Sequence, residues 1–199
     1  MSVNPSKLRK MPTPICSVIL AGGRGSRMGG QDKGLVHFAG RPLIEYTIDA
    51  VTPHSERIII SCNRNEGVYQ EYSSFVVSDL DDSYQGPLAG LLAASALCAQ
   101  DWVFCCPCDV PDLPTDIISL LLNGVDTQNH DIAVCHDGKR RQSLLMLVRA
   151  ECLSSIATYL DEGGRRVDDW QNQLRTVELD CSEYADQLLN VNHQAELLP

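Results

Sequence analysis

Residues 15–35, ICSVILAGGRGSRMGGQDKGL, join a largely apolar run to a loop that is rich in glycine and cations. The run Ile15–Leu20 is apolar and β-branched, which is typical of a strand buried on both faces of a sheet. Glycines after such a strand let backbone N–H groups approach a ligand without an intervening Cβ atom. The stretch therefore predicts a central strand that ends at a ligand-binding loop.

Strands and helices alternate along the rest of the chain. We predict further strands in 57–63, 75–79, 101–109, 131–135, 143–148 and 175–180, and a short extended piece in 35–38. Helices are predicted to begin near Pro42 and Pro87, to cover 115–124 and 150–164, and to follow a turn at 190–192. This alternation predicts an α/β fold, a Rossmann-like three-layer sandwich with a mainly parallel central sheet and helices on both faces. Ligands of such sheets bind beyond the carboxyl ends of the strands.

The length and composition limit the possible functions. With 199 residues, we expect a disordered arm over 1–14 and one domain over 15–199. A net charge of −10 argues against nucleic acid or an anionic membrane as a partner. The nine cysteines are odd in number and several lie in apolar runs, so we expect reduced thiols in a cytoplasmic protein. Neither a signal peptide nor a membrane span is expected, because no apolar run is long enough.

The loop does not match either of two well-known nucleotide motifs. The dinucleotide motif G-x-G-x-x-G fails because Gly23 and Gly25 are followed by Met28. The phosphate loop G-x-x-x-x-G-K-[ST] fails because Gln31 follows Gly30 where lysine is required. The loop therefore has neither of these two sequence patterns.

Three cations accompany the glycines, although the chain as a whole is acidic. Arg24, Arg27 and Lys33 can each make charge-assisted hydrogen bonds to phosphate oxygens. A solvated loop is the simpler alternative. The buried strand in front of the loop and the local positive charge favour binding of a small phosphorylated ligand.

The stretch LAGGRGSRMGGQDKGL, residues 20–35, resembles the signature L-A-G-G-x-x-x-R-M-G-G-x-D-K-G of the molybdenum cofactor guanylyltransferases. The resemblance continues in order through SCNR (61–64), SD (78–79), GPLAG (86–90), CPCDVP (106–111), HDG (136–138), GGRRV (163–167) and NVN (190–192). It implies a nucleotidyltransferase that joins GMP from GTP to the phosphate of molybdenum-bound molybdopterin and releases pyrophosphate. The part to about residue 130 would bind the nucleotide, and the remainder would contribute the acceptor side.

The resemblance also implies roles for individual residues. GTP would contact the turn after the first strand and the ends of later strands, at Leu20, Ala21, Gly22, Gly23, Lys33, Asn63, Asp79 and Asp109. Arg27 and Lys33 would be catalytic, because cations placed in advance stabilise the charge that builds on the reacting phosphates. Asp109 would be catalytic as well, as the ligand of Mg²⁺, an ion that prefers oxygen donors.

The acceptor side is implied less directly. Arg165, Arg166, Asn190 and Asn192 would bind molybdopterin, and the basic turn at 139–141 offers further cations. A charge run is also typical of a solvated face, and an asparagine before a helix is an ordinary cap. The chain departs from the family here, with QSL instead of proline-threonine after the basic turn and NVNHQ instead of N-V-N-T-P.

Three alternatives remain open. The same chemistry could use CTP with molybdopterin or a sugar-phosphate acceptor, or the chain could be a nucleotide-binding regulator without turnover.

Cys105 and Cys108 have the C-x-x-C spacing of redox sites, but they lie at a strand end and not at a helix N-terminus. LAGG and RMGGQDKG favour guanine and molybdopterin, and Lys33 and Asp109 favour turnover. Other proteins of molybdenum cofactor biosynthesis are the expected partners.

Overall fold

The computed structural model describes residues 13–23, 31–79 and 86–191. Arg24 and Arg27 therefore fall outside these ranges. So do all but two residues of the arm expected over 1–14, and the helix expected after the turn at 190–192. Among the described residues, no helix has the length and apolar character needed to cross a membrane.

The described residues form short, closely spaced elements. The strands are β1 (Ile15–Leu20), β2 (His37–Phe38), β3 (Arg41–Pro42), β4 (Arg57–Ser61), β5 (Val76–Val77), β6 (Trp102–Pro107), β7 (Ile132–His136), β8 (Arg141–Arg149) and β9 (Thr176–Asp180). The α-helices are α1 (Leu43–Val51), α2 (Glu66–Tyr69), α3 (Pro87–Ser95), α4 (Ile117–Gly124), α5 (Ser155–Asp161) and α6 (Val167–Gln171). Short 3₁₀ turns cover Lys33–Leu35, Thr52–His54, Ala150–Ser154 and Ser182–Tyr184.

The main sheet has β1 near its centre. Its order is β5-β4-β1-β6-β8-β7-β9, and β2 pairs with β3 in a separate two-stranded sheet. β8 is antiparallel to β6 and β7, because the four residues between β7 and β8 allow a hairpin but no crossover. The other adjacent pairs of the main sheet are parallel, which confirms the predicted mainly parallel sheet.

Helices cover both faces of the sheet, as predicted. Ile19 points towards a core that includes residues of α1 and α4. Val18, its neighbour, points to the opposite core, which includes residues of α3, α5 and α6. This alternation follows from the two-residue period of a strand. Because every residue of β1 is buried, the strand reads as an apolar run that only Ser17 interrupts.

Several boundaries differ from the prediction. Pro42 belongs to β3 and precedes α1, whereas Pro87 does occupy the first turn of α3. The helix predicted over 150–164 begins as a 3₁₀ turn and becomes α-helical only at Ser155. α2 and α6 were not predicted, because helices of four and five residues are too short to show a helical period.

A buried threonine in α1 gives the first prediction. Thr47 has no exposed surface, and its Oγ1 atom has no hydrogen-bond partner among the described residues. Thr47→Val should raise the free energy of unfolding by about 1 kcal/mol, because it removes an unsatisfied buried hydroxyl and keeps the shape. Urea unfolding with an unchanged m-value measures this.

The matched control is Thr52→Val at the end of the same helix. The hydroxyl of Thr52 donates to the carbonyl of Ile48 at 2.7 Å, so this change should not stabilise the protein. A lower free energy of unfolding for Thr47→Val would mean that the hydroxyl has a partner in solution.

Candidate functional site

A cavity of about 400 Å³ opens at the carboxyl ends of β1, β4 and β6, beside the start of α3. This is the edge where open parallel sheets bind their ligands. Nine of the residues singled out from the sequence line it: Leu20, Ala21, Gly22, Gly23, Lys33, Asn63, Asp79, Asp109 and Asn190. Residues far apart in the chain therefore meet at one site.

Lys33 and Asp109 form an ion pair in the wall of this cavity. Asp109 follows the end of β6 and is 5% exposed, so its carboxylate needs partners. Besides the Lys33 ammonium, it accepts a hydrogen bond of 2.7 Å from the side-chain amide of Asn190. The backbone N–H of Val191 donates to the Asp109 carbonyl at 2.9 Å, which holds this part of the chain beside β6.

Asn63 and Asp79 are joined at the next part of the rim. The Asn63 amide donates to the Asp79 carboxylate at 2.7 Å, and the Asp79 N–H donates back to the Asn63 carbonyl oxygen at 2.9 Å. Because β4 and β5 are parallel neighbours, residues just beyond their ends lie side by side. The reciprocal pair gives this edge of the cavity a fixed carboxylate.

The turn after β1 continues the sheet into the cavity. The Ala21 N–H donates to the carbonyl of Ser61 at 2.8 Å, and the Cys108 N–H donates to the carbonyl of Leu20 at 3.2 Å. The turn is therefore held from both sides by the strands that flank β1. Backbone groups beyond Ala21 can then face a ligand in a defined orientation.

Four further residues line the cavity and were missed in the sequence: Ser61, Pro107, Cys108 and Leu144. The first three lie in the SCNR and CPCDVP motifs and in or directly after β4 and β6, so both the motifs and the strand ends were usable signals. Leu144 comes from β8, and its sequence context contains no such signal. Gly86, Pro87 and Gly90 also line the cavity and belong to the GPLAG motif.

The predicted acceptor arginines do not line this cavity in the described part of the chain. Arg165 donates to the carbonyls of Leu160 and Gly164, at 2.8 and 2.5 Å. Arg166 has a side chain that is 73% exposed and lies 3.6 and 3.5 Å from Asp168 and Asp169. In contrast, Asn190 lies in the cavity wall, while Asn192 and Arg27 fall outside the described residues.

The basic turn between β7 and β8 is partly engaged in structural contacts. Arg141 donates to Glu178 on β9 and, at 3.0 Å, to the side chain of Asn172. Such a paired guanidinium ties β8 to its neighbours. Arg141, the first residue of β8, is therefore poorly suited to bind an incoming anion.

The residues at the site are compatible with Mg²⁺. Within the described ranges, no three His, Cys, Asp or Glu side chains cluster as a protein-only metal cage would need. Mg²⁺ usually keeps several waters and binds through one or two carboxylates together with substrate phosphates. Asp109, a buried carboxylate in the wall of the cavity, meets that requirement.

The C-x-x-C cysteines are buried, Cys105 within β6 and Cys108 directly after it. Cys105 has no exposed surface and Cys108 is 3% exposed, and both thiols are unbridged. Burial raises the pKa of both thiols, the reverse of the lowered pKa that makes a redox thiol reactive. The pair therefore serves packing, as the sequence context favoured.

Comparison with known proteins agrees with this geometry. The family model described as "MobA-like NTP transferase domain" matches residues 17–176. The chain belongs to this family of nucleotidyltransferases. It is 40% identical over 182 residues to a molybdenum cofactor guanylyltransferase of Shewanella piezotolerans, covering 92% of this chain and 89% of the relative. A molybdenum cofactor guanylyltransferase of Shewanella sediminis is 39% identical, with 92% and 93% covered.

Solved structures share the fold. Molybdopterin-guanine dinucleotide biosynthesis protein A from Archaeoglobus fulgidus superposes with a TM-score of 0.73 at 20% identity, covering 92% of this chain and 94% of that one. A nucleotidyl transferase from Methanothermobacter thermautotrophicus gives 0.71 at 22% identity, with the same coverage. At these identities the likeness confirms the Rossmann-like architecture.

Close packing behind the cavity gives the second prediction. A Cβ atom on Gly90 of α3 would lie 2.3 Å from the hydroxyl oxygen of Ser61 and 3.4 Å from Leu20. Gly90→Ala should therefore lower the free energy of unfolding by about 1–3 kcal/mol through overpacking. Urea or thermal unfolding measures the loss.

Gly67→Ala in α2 is the matched control, because nothing lies within 4 Å of a Cβ atom there. That change should be neutral or stabilise by up to about 1 kcal/mol, since alanine favours a helix over glycine. Equal stability changes for the two variants would contradict the close approach of α3 to β4.

Proposed function

We propose that this protein transfers GMP from GTP to the phosphate of molybdenum-bound molybdopterin and releases pyrophosphate. The observation that carries the proposal is the meeting of Lys33 and Asp109 in one cavity wall at the carboxyl edge of the sheet. The relatives at about 40% identity are named for this guanylyl transfer, which supports guanine as the base and molybdopterin as the acceptor.

GTP is proposed to lie along the edge formed by β1, β4 and β5. The nucleoside contacts the turn 20–23 and the Asn63–Asp79 pair, while Arg27 and Lys33 contact the triphosphate. A cavity of about 400 Å³ falls within the usual range of small-molecule sites. The described lining combines apolar and glycine residues with few polar side chains, as such sites generally do.

Asp109 is proposed to hold Mg²⁺, with Asn190 beside it. When bound, the ion supplies positive charge to the phosphate oxygens at the reacting centre. Lys33 and Asp109 neutralise each other in the ligand-free protein, so neither charge is buried alone. Binding of the nucleotide lets Lys33 exchange its carboxylate partner for phosphate oxygens.

Catalysis is proposed to depend on positioning and charge. Holding the acceptor phosphate in line with the α-phosphate makes the attack effectively unimolecular. Lys33 then stabilises charge on the reacting and leaving phosphates, with the chain contributing no covalent intermediate.

The residues after about 130, including Arg165, Arg166, Asn190 and Asn192, are proposed to receive the acceptor within the single domain 15–199. A cytoplasmic location and partners from molybdenum cofactor biosynthesis are part of the same proposal.

Nucleotide preference gives the third prediction. GTP should bind more tightly than ATP, CTP or UTP in the presence of Mg²⁺, and only GTP should release pyrophosphate at full rate with molybdopterin. Calorimetric titration and a pyrophosphate assay with all four nucleotides measure this. Tighter binding and faster turnover with CTP would assign the protein to cytidylyl transfer.

The cation of the pair gives the fourth prediction. Lys33→Ala should weaken GTP binding roughly ten- to hundred-fold, the amount expected for one charge-assisted contact. The matched control is Arg41→Ala, which removes a cation paired with Glu45 at 3.0 Å and with Asp49 at 2.8 Å, outside the cavity lining. Arg41→Ala should leave GTP affinity unchanged. Equal affinities for both variants would exclude Lys33 from the triphosphate site.

The carboxylate of the pair gives the fifth prediction. Asp109→Asn keeps the shape but removes the charge that would hold Mg²⁺, so turnover should fall far more than GTP affinity does. With the metal chelated, this variant should bind GTP at least as well as the wild type, because Lys33 no longer pairs with a carboxylate.

Asp112→Asn makes the same change three residues later at an exposed position outside this cavity. It should turn over at the wild-type rate. If Asp109→Asn also did so in saturating GTP and acceptor, the metal assignment would be wrong.

A further inference from the structure

One short segment contacts both flanks of the glycine-rich stretch. The Nη2 atom of Arg64 donates to the carbonyl of Gly23 at 3.1 Å and to the carbonyl of Gln31 at 3.3 Å. Gly23 belongs to the turn after β1, and Gln31 precedes Lys33 by two residues. A single guanidinium therefore ties the exit of β1 to the start of the lysine turn.

The same segment binds the residue immediately before Lys33. The carboxylate of Asp32 is 9% exposed and accepts a hydrogen bond of 2.6 Å from the hydroxyl of Tyr69. Its second oxygen accepts one of 3.0 Å from the side-chain amide of Asn65. A carboxylate so deeply buried needs such donors, and hydrogen bonds to a charged group are among the stronger ones.

Both donors are held in place. Tyr69 has no exposed surface, and burial raises the pKa of its hydroxyl, which keeps the proton available for donation. Asn65 has φ +53° and ψ +33°, a left-handed conformation that asparagine tolerates better than most residues. This conformation starts α2 and turns the Asn65 amide towards Asp32.

The residue after Lys33 packs against the same tyrosine. A Cβ atom on Gly34 would lie 2.5 Å from the Tyr69 hydroxyl oxygen and 3.3 Å from the adjacent ring carbon. Lys33 is therefore flanked by two residues that are both in contact with Tyr69. Its backbone position, and hence the reach of its ammonium towards Asp109, depends on a tyrosine that does not line the cavity.

We infer that Arg64, Asn65 and Tyr69 are positioning residues for Lys33 in the nucleotidyl transfer. We call these three residues the loop anchor. The inference rests on the proposed function, because it assigns the loop anchor a role only through the contact of Lys33 with the triphosphate. A buried carboxylate with two neutral donors is the means by which the fold holds the lysine turn against the cavity.

The test removes one oxygen atom from the loop anchor. Tyr69→Phe breaks the hydrogen bond to Asp32, and Tyr72→Phe is the matched control. Tyr72 lies three residues after Tyr69 and outside the cavity lining, and its hydroxyl donates to the carboxylate of Glu45 at 3.2 Å. Tyr69→Phe should weaken GTP binding and lower kcat/KM by roughly tenfold, as a displaced catalytic group does. Tyr72→Phe should change neither.

A double-mutant cycle separates positioning from a general effect on the fold. If Tyr69 acts through Lys33, then Tyr69→Phe should cost nothing further in a chain that already carries Lys33→Ala. A merely structural tyrosine would instead give losses that add. Thermal melts of all variants accompany the binding data.

Asn65→Gly provides a second variant that keeps the fold. Glycine accepts the left-handed conformation of this position, so only the amide donor to Asp32 is lost. Asn65→Gly should weaken GTP binding in the wild-type chain. It should not weaken binding further in a chain that already carries Lys33→Ala.

The outcomes distinguish a failure of the loop anchor from a failure of the proposed function. If Lys33→Ala weakened GTP binding while Tyr69→Phe and Asn65→Gly bound as the wild type does, the loop anchor would be refuted and the proposed function would stand. Additive losses would also refute it. Normal GTP affinity of Lys33→Ala would exclude Lys33 from the triphosphate site, and the positioning role with it. Failure of the wild type to release pyrophosphate from GTP with molybdopterin would instead overturn the proposed function.

Discussion

The parallel pairing of β1 with both β4 and β6 is the constraint on which the site depends. It fixes Leu20 opposite Ser61 on one side and opposite Pro107 on the other. The residues that follow these three strands must then lie at one edge of the sheet. Asn63 and Asp109 come from connections far apart in the chain, yet the register places both beside the turn after β1.

Polar side chains at that edge are satisfied by one another. Asp109 is held by Lys33 and Asn190, Asp79 by Asn63, and Asp32 by Tyr69 and Asn65. Such pairing limits the cost of placing charge in a partly buried cavity. It also means that the ligand-free site is already arranged, so little ordering is left to be done when a nucleotide arrives.

Much of this could be predicted from the sequence, because the informative signals are local. The run in β1 and the proline in the first turn of α3 each mark an element directly, and the strand ends locate Asn63, Asp79 and Asp109. The pairing of Lys33 with Asp109 could not be predicted from spacing, since it depends on the turn between β1 and α1. The role of Asp32 was missed for a related reason. Its partner Tyr69 lies in a helix of four residues that has no helical period.

The direct test of the account is a crystal structure with GTP and Mg²⁺. The account predicts that the triphosphate lies against Lys33, that the ion lies on Asp109, and that the Lys33–Asp109 pair has separated. It further predicts that the nucleoside lies beside residues 20–23 and the Asn63–Asp79 pair, with the contacts of Asp32 unchanged. A nucleotide bound elsewhere, or one bound in this cavity with the Lys33–Asp109 pair still intact, would contradict it.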